Sequence, residues 1–229
     1  MLKNILLDLD DTILDFKKCE HVALDTALTS LNIPHNESTL ELYSRINELH
    51  WKKLETGEIT RNQVLLGRFE MLFEQIGADC SGELAWKTYE EMLSRQHFFI
   101  PRAQEMLEYL KDRFDLYIVS NGTASVQDRR IEGANLEKYF KKIFISQRVG
   151  VNKPDVRFFE RCFNEIDNFK KQETIIIGDS LSSDIQGGIN AGITTCWYNP
   201  KGTQAPDDMK IDYIIGDLGN LYGADNILE

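Results

Sequence analysis

The stretch Leu6-Leu7-Asp8-Leu9-Asp10-Asp11-Thr12 decides how this chain is read. It extends an apolar run begun at Ile5. A short unbroken run of this kind near a chain terminus predicts a strand, here Ile5 to Leu9, buried in a parallel sheet. Carboxylates are costly in such surroundings unless they are paired or bound to a metal. Asp8, Asp10 and Asp11 nevertheless crowd the end of the run. The negative charge needs a chemical reason.

Composition narrows the reasons. The chain has 229 residues, enough for one large domain or a core carrying an insertion. At 42% hydrophobic and 28% charged it has the balance of a globular protein with a sizeable core. With 37 acidic and 26 basic residues the formal net charge is -11, which argues against nucleic-acid polymers and anionic membranes as partners. A small anionic substrate is compatible, because one local cation outweighs distant negative charge. Cys19, Cys80, Cys162 and Cys196 are scattered with no C-x-x-C pair, so reduced thiols are expected rather than a disulfide frame or a zinc site. No stretch has the length of a transmembrane helix, and Asp8 and Asp10 break the first apolar run too early for a signal peptide. These features predict a cytoplasmic location. Nothing in the sequence specifies an oligomeric state.

The texture changes twice along the chain. Between residues 16 and 97, Val22–Leu31, Leu40–Glu55, Asn62–Ile76 and Leu84–Gln96 place apolar residues at three- and four-residue intervals, which predicts helices. Pro34 with Asn36, Gly57, and Gly77 through Gly82 separate them, and Asn36 and Thr60 stand where N-caps belong. This block reads as a bundle of about four helices. Beyond Pro101 strands and helices alternate. Leu116–Gly122, Lys142–Ser146, Glu173–Asp179, Thr194–Asn199 and Asp212–Asp217 read as strands or strands entering loops; Arg102–Arg113, Val126–Leu136, Asp155–Ile166 and Ser183–Gly192 read as helices. Alternation predicts an α/β fold with a doubly wound parallel sheet, Rossmann-like, that also takes in the first strand. The expected domains are a discontinuous core, 1–15 and 98–229, and an inserted all-helical cap, 16–97.

Ligands of such sheets bind beyond the carboxyl ends of the strands. The strand ends bring, in chain order, Asp8, Asp10 and Thr12, then Ser120, Asn121 and Gly122, then Lys153 in Gly150–Asp155, then Asp179 with Asp184 further on. On an extended backbone Asp8 and Asp10 point the same way. With Asp179 added, like charges so close require either protonation or a cation. Hard carboxylate oxygens with no histidine or thiol nearby in sequence suit Mg2+. Lysine, magnesium, a hydroxyl and backbone amides together make a cradle for a phosphoryl group. Plainer readings stand beside these. Thr12 reads as a turn hydroxyl, Asp184 has an N-cap reading, a lone Lys153 reads as a solvated lysine, and Asp11 receives no role.

The motifs DLDDT, VSNG, NKPD and GDSLSSD, in this order, resemble the four signatures of the haloacid dehalogenase superfamily, with a helical cap inserted after the first. The resemblance implies that Asp8 is the nucleophile and forms an aspartyl-phosphate. It implies that Asp10 protonates the leaving oxygen and then activates water. Ser120 and Lys153 hold the phosphoryl oxygens with help from the Asn121 amide. Asp8, the Asp10 backbone carbonyl and Asp179 bind magnesium, supported by Asp184. The substrate is then a small-molecule phosphate ester. Haloacid dehalogenation, the rival reaction, does without an acid two residues after the nucleophile, and here Asp10 occupies that place. An idle binding protein would lack a motif residue, and none is missing; the core motifs leave a phosphomutase open. GDSL at Gly178–Leu181 also matches a serine esterase signature, but His21, His35, His50 and His97 all precede it, so no downstream base exists. They read mostly as surface residues. No P-loop is present.

His50–Phe73 resembles the cap of bacterial pyrimidine 5′-nucleotidases, and Ser120–Phe140, Ser146–Asp155 and Gly178–Pro200 resemble the core of the same subgroup. This implies a nucleoside 5′-monophosphate substrate, pyrimidine preferred, with sugar phosphates and phosphoglycolate as competitors. Trp51, Phe16 and Arg68 have the chemistry to stack on or hydrogen-bond a base, but as helix residues they read as packing or solvated side chains.

Overall fold

The computed structural model describes residues 1–222 and 226–228. It divides into two compact units: Met1–Asp15 with Phe99–Gln127 and Asn135–Glu229, and Phe16–Phe98 with Asp128–Ala134.

In the first unit, β1 (Asn4–Leu7), β2 (Asp115–Ser120), β3 (Lys142–Ile145), β4 (Thr174–Gly178), β5 (Thr194–Tyr198) and β6 (Tyr213–Ile215) form one sheet. The order is β3-β2-β1-β4-β5-β6 and every pair is parallel, the doubly wound arrangement expected. β1 and β4 are buried at every position, as their unbroken apolar sequences require of strands covered on both faces. β6 forms an edge, and its Tyr213 and Ile214 are exposed. On one face Leu6, Val119 and Ile176 pack with Phe158, Phe159 and Cys162 of helix α8 (Val156–Phe163). Phe163 stacks on Phe169, with ring centroids 3.9 Å apart.

β1 is shorter than its apolar run suggests. Past Leu7 the chain turns: the Ile13 and Leu14 amides both donate to the Leu9 carbonyl at 3.0 and 2.9 Å, and the Asp11 amide donates to the Leu14 carbonyl at 2.7 Å. Asp11 takes a left-handed φ of 58°, which gives it the place sequence could not assign, since aspartate tolerates that region better than most residues. Thr12 departs from its expected part. Its hydroxyl is buried without a hydrogen bond, so the turn is held by backbone groups. The segment leaving the sheet unit and the one returning to it are pinned together by a Leu14–Phe99 bridge and by the Ile100 amide donating to Ile13 O at 3.0 Å.

The second unit is built on α1 (Phe16–Ser30), α2 (Glu37–Glu55), α3 (Arg61–Ile76) and α4 (Gly82–Leu93). Asn36 and Thr60 are N-caps, each in a reciprocal capping box with Thr39 and Gln63. Gly77 ends α3 in the left-handed conformation. Tyr43, Phe69 and Tyr89 form an aromatic centre with ring separations of 5.0 to 5.6 Å. Arg68 is only 3% exposed and lies over these rings. It donates to Asn47 Oδ1 at 2.8 Å, and Asn47 donates to Glu20 Oε1 at 2.6 Å, so two buried charges are joined through one amide. Arg68 therefore serves packing rather than a solvated face. His50, expected at the surface with most histidines, is buried and bonded to the Ile46 carbonyl. Helix α6 (Ala124–Gly133) is divided between the units: Asp128–Ala134, its last residues and the one that follows, read in sequence as core, group with the helices.

Ile176 sits in the middle of β4 with no solvent exposure. Ile176→Ala should therefore lower stability by about 2–5 kcal/mol, read from the midpoint of denaturant unfolding. A loss below about 1 kcal/mol would show that the face closes over the missing atoms.

Candidate active site

All the residues collected from the strand ends lie in the sheet unit. Lys153 stands at their centre. It follows the short helix α7 (Ser146–Val149), precedes α8, and its bond to Pro154 is cis. Asn121, just past β2, clamps its backbone: the side-chain amide donates to Lys153 O at 3.0 Å, and Lys153 N donates to Asn121 Oδ1 at 2.9 Å. The side chain is 1% exposed. Its ammonium donates to Asp8 Oδ1 at 2.7 Å, to Asp184 Oδ1 at 2.6 Å and to the Val119 carbonyl at 2.7 Å. Three donors meet three acceptors. Burial alone would favour the neutral amine, but Asp184 and Asp8 outweigh it and raise the lysine above its ordinary pKa.

Asp184 does not cap a helix. It lies in a single wide turn, Leu181–Ile185, fully buried, and the cap of that turn is Ser180. Its Oδ2 accepts from the Ser180 amide at 3.1 Å. Gly178 makes room for it, since a Cβ there would fall 2.2 Å from Asp184 Oδ2. Asp179 is placed by Trp197, whose indole donates to the Asp179 carbonyl at 2.8 Å. Oxygens of Asp8, Asp179 and Asp184 all lie within 4.8 Å of one another. Burial first, and then the neighbouring charges, push Asp8 and Asp179 well above the ordinary carboxylate range, against the pull of Lys153. Two buried carboxylates on one ammonium, with the half-buried Asp179 beside them, hold surplus negative charge, and their donors are all hard oxygens. That donor set fits a divalent cation of the magnesium type.

Asp10 is bound differently. Its Oδ2 accepts from the side-chain amide of Gln127 at 2.6 Å, and the same nitrogen donates to Ser120 Oγ at 2.9 Å. Ser120 Oγ also receives the Gly122 amide at 3.2 Å. Asp8 and Asp10, expected side by side on an extended strand, thus have separate partners, because β1 ends before either. Gln127 lies in no motif and escaped the sequence reading. A glutamine inside a helix carries no chemical signal of its own, and only the fold brings it to Asp10.

Removing the ammonium should expose how much of the site depends on it. Lys153→Met leaves two buried carboxylates without their cation, and should destabilise the metal-free protein by about 3–5 kcal/mol in denaturant unfolding. A loss under about 1 kcal/mol would contradict that dependence.

The profile of the family described as haloacid dehalogenase-like hydrolase matches residues 5–198. The HAD-hydrolase YfnB of Bacillus subtilis is 37% identical over 98% of this chain and 96% of its own. A crystal structure of YfnB, described as bound to magnesium and as revealing interdomain movement, superposes with a TM-score of 0.93 and covers 99% of both chains. The pyrimidine 5′-nucleotidase PynA of Streptococcus pneumoniae is 38% identical over 99% of this chain and 97% of its own. The pyrimidine 5′-nucleotidase YjjG of Escherichia coli is 27% identical, covering 95% of each. With the family profile running from β1 through β5 and over all four motifs, and relatives aligned nearly end to end, the chain belongs to the haloacid dehalogenase-like hydrolases.

Proposed function

We propose that this chain is a magnesium-dependent phosphomonoester hydrolase working through an aspartyl-phosphate on Asp8, and that it prefers pyrimidine nucleoside 5′-monophosphates. The observation that carries the chemistry is the position of Asp8, whose carboxylate belongs at once to the acidic cluster and to the Lys153 ammonium.

Asp8, Asp179 and the Asp10 backbone carbonyl would hold the metal, with Asp184 in support. Bound magnesium supplies the positive charge that lets anionic substrate and carboxylates share the site. Asp8 attacks phosphorus, the bond to the leaving oxygen breaks, and that oxygen takes the proton of Asp10. Asp10, now a carboxylate, removes a proton from water, whose oxygen attacks phosphorus and releases Asp8 with inorganic phosphate. Ser120, both of whose acceptor positions receive N–H donors, has its hydroxyl proton to offer a phosphoryl oxygen, beside the Asn121 amide. The protons of Lys153 are taken up by protein acceptors, so within this scheme it serves phosphoryl binding through its charge.

The nucleotide preference rests on the two relatives named pyrimidine 5′-nucleotidases, whose likeness runs through the helical unit as well as the sheet. Sugar phosphates and phosphoglycolate are the main competitors, and a phosphomutase uses the same chemistry. Dehalogenation is disfavoured by Asp10, an acid with a dedicated hydrogen-bond donor and no task in that reaction.

Activity should vanish on exhaustive chelation and return with magnesium, and magnesium should raise the melting temperature by binding the native state. Full activity after chelation with no thermal shift would sink the phosphatase assignment. Asp10→Asn should lower turnover about 10²- to 10⁴-fold with the fold intact, roughly 3–5 kcal/mol of barrier; near-normal turnover would remove its role as acid and base. Across nucleoside monophosphates, sugar phosphates and phosphoglycolate, kcat/KM should be highest for dUMP, dTMP or UMP. A clear preference for a sugar phosphate would overturn the nucleotide choice and leave the mechanism standing.

A further inference from the structure

Gln127 occupies a position that the chemistry above does not use. It is 1% exposed, and the two hydrogens of its amide nitrogen meet two acceptors, Asp10 Oδ2 at 2.6 Å and Ser120 Oγ at 2.9 Å. A glutamine amide has two N–H donors, so one side chain spans both residues. Its place is kept open by Gly122, where a Cβ would fall 2.4 Å from the Gln127 nitrogen. Burying an amide this deeply is costly unless its donors are used.

We propose that Gln127 is a positioning residue that orients the Asp10 carboxyl group toward the leaving oxygen by tying it to Ser120. An N–H donor directed at Oδ2 makes that oxygen an acceptor. The carboxyl group of Asp10 is thereby held in direction by a neutral amide that is itself fixed by Ser120. A donor of this kind lowers the number of carboxyl orientations to be searched before the proton meets the leaving oxygen. Phosphoryl transfer to Asp8 is untouched in its electron flow: the bond to the leaving oxygen breaks as the bond to Asp8 forms, and the proton passes from Asp10 to that oxygen. The inference rests on the reading of Asp10 as the acid.

The dependence of rate on the leaving group separates positioning from support of the fold. A nitrophenolate leaves without a proton, whereas an alkyl alcohol needs one, so only the second kind of ester reports on the delivery of the Asp10 proton. Gln127→Leu, of similar size and without donors, should lower kcat/KM for alkyl and nucleoside phosphates about 10- to 100-fold, and for p-nitrophenyl phosphate less than about threefold. Gly122→Ala, which displaces the Gln127 amide without removing it, should give the same selective loss and serves if Gln127→Leu does not fold. In an Asp10→Asn background Gln127→Leu should bring little further loss, since the two act as one unit. Equal losses on both kinds of ester, or a full further loss in the Asp10→Asn background, would overturn the inference. Failure of the underlying reading has a different signature: Asp10→Asn itself would then show no dependence on the leaving group.

Discussion

The ammonium of Lys153 is the interaction on which the rest of the site depends. Charges taken out of water are tolerated only with partners, and Lys153, in the turn between α7 and α8, supplies the partner of two buried carboxylates from other segments of the chain. Several features of the sheet unit serve this one contact. Asn121 fixes the lysine backbone, the Val119 carbonyl takes the third proton, and Gly178 leaves the space that Asp184 fills. β1, β2 and β4 pair in register, which brings the carboxyl ends carrying Asp8, Ser120 and Asp179 to one edge of the sheet. One ammonium among three carboxylates still leaves negative charge unmatched, and that remainder fits a divalent cation.

The two aspartates of the first motif differ in environment. Asp8 is buried against the Lys153 ammonium and beside like charges. Asp10 meets a neutral amide instead. A neutral amide orients a carboxyl group without adding a charge beside it. The backbone turn from Leu9 to Leu14, with Asp11 in its left-handed position, is what gives two residues so near in sequence such different partners.

Much of this was legible in the sequence, for physical reasons. Unbroken aliphatic runs named β1 and β4, because strands covered on both faces tolerate little else. Asn36 and Thr60 announced helix starts because a side-chain oxygen before an apolar repeat has an amide to satisfy there. Carboxylates after such strands marked the acidic cluster. The features that stayed hidden depend on tertiary approach. Asp184, read in support of the acidic site with a helix cap as the plainer alternative, has its burial set by the wide turn at Leu181–Ile185, which sequence did not show. Arg68 and His50 sit on amphipathic helices where solvation is the ordinary expectation, and both prove buried with hydrogen-bond partners. Gln127 had no local signal, since an amide becomes informative only when the groups at its two hydrogens are known.

The central claim, that phosphorus passes through a bond to Asp8, is tested most directly by stereochemistry. A phosphate ester made chiral at phosphorus with sulfur and oxygen isotopes, hydrolysed in isotopically labelled water, reports the number of displacements at that atom. Transfer to Asp8 followed by attack of water inverts the centre twice, and retention of configuration is the predicted result. Net inversion would mean that water attacks the substrate directly, and would contradict the account.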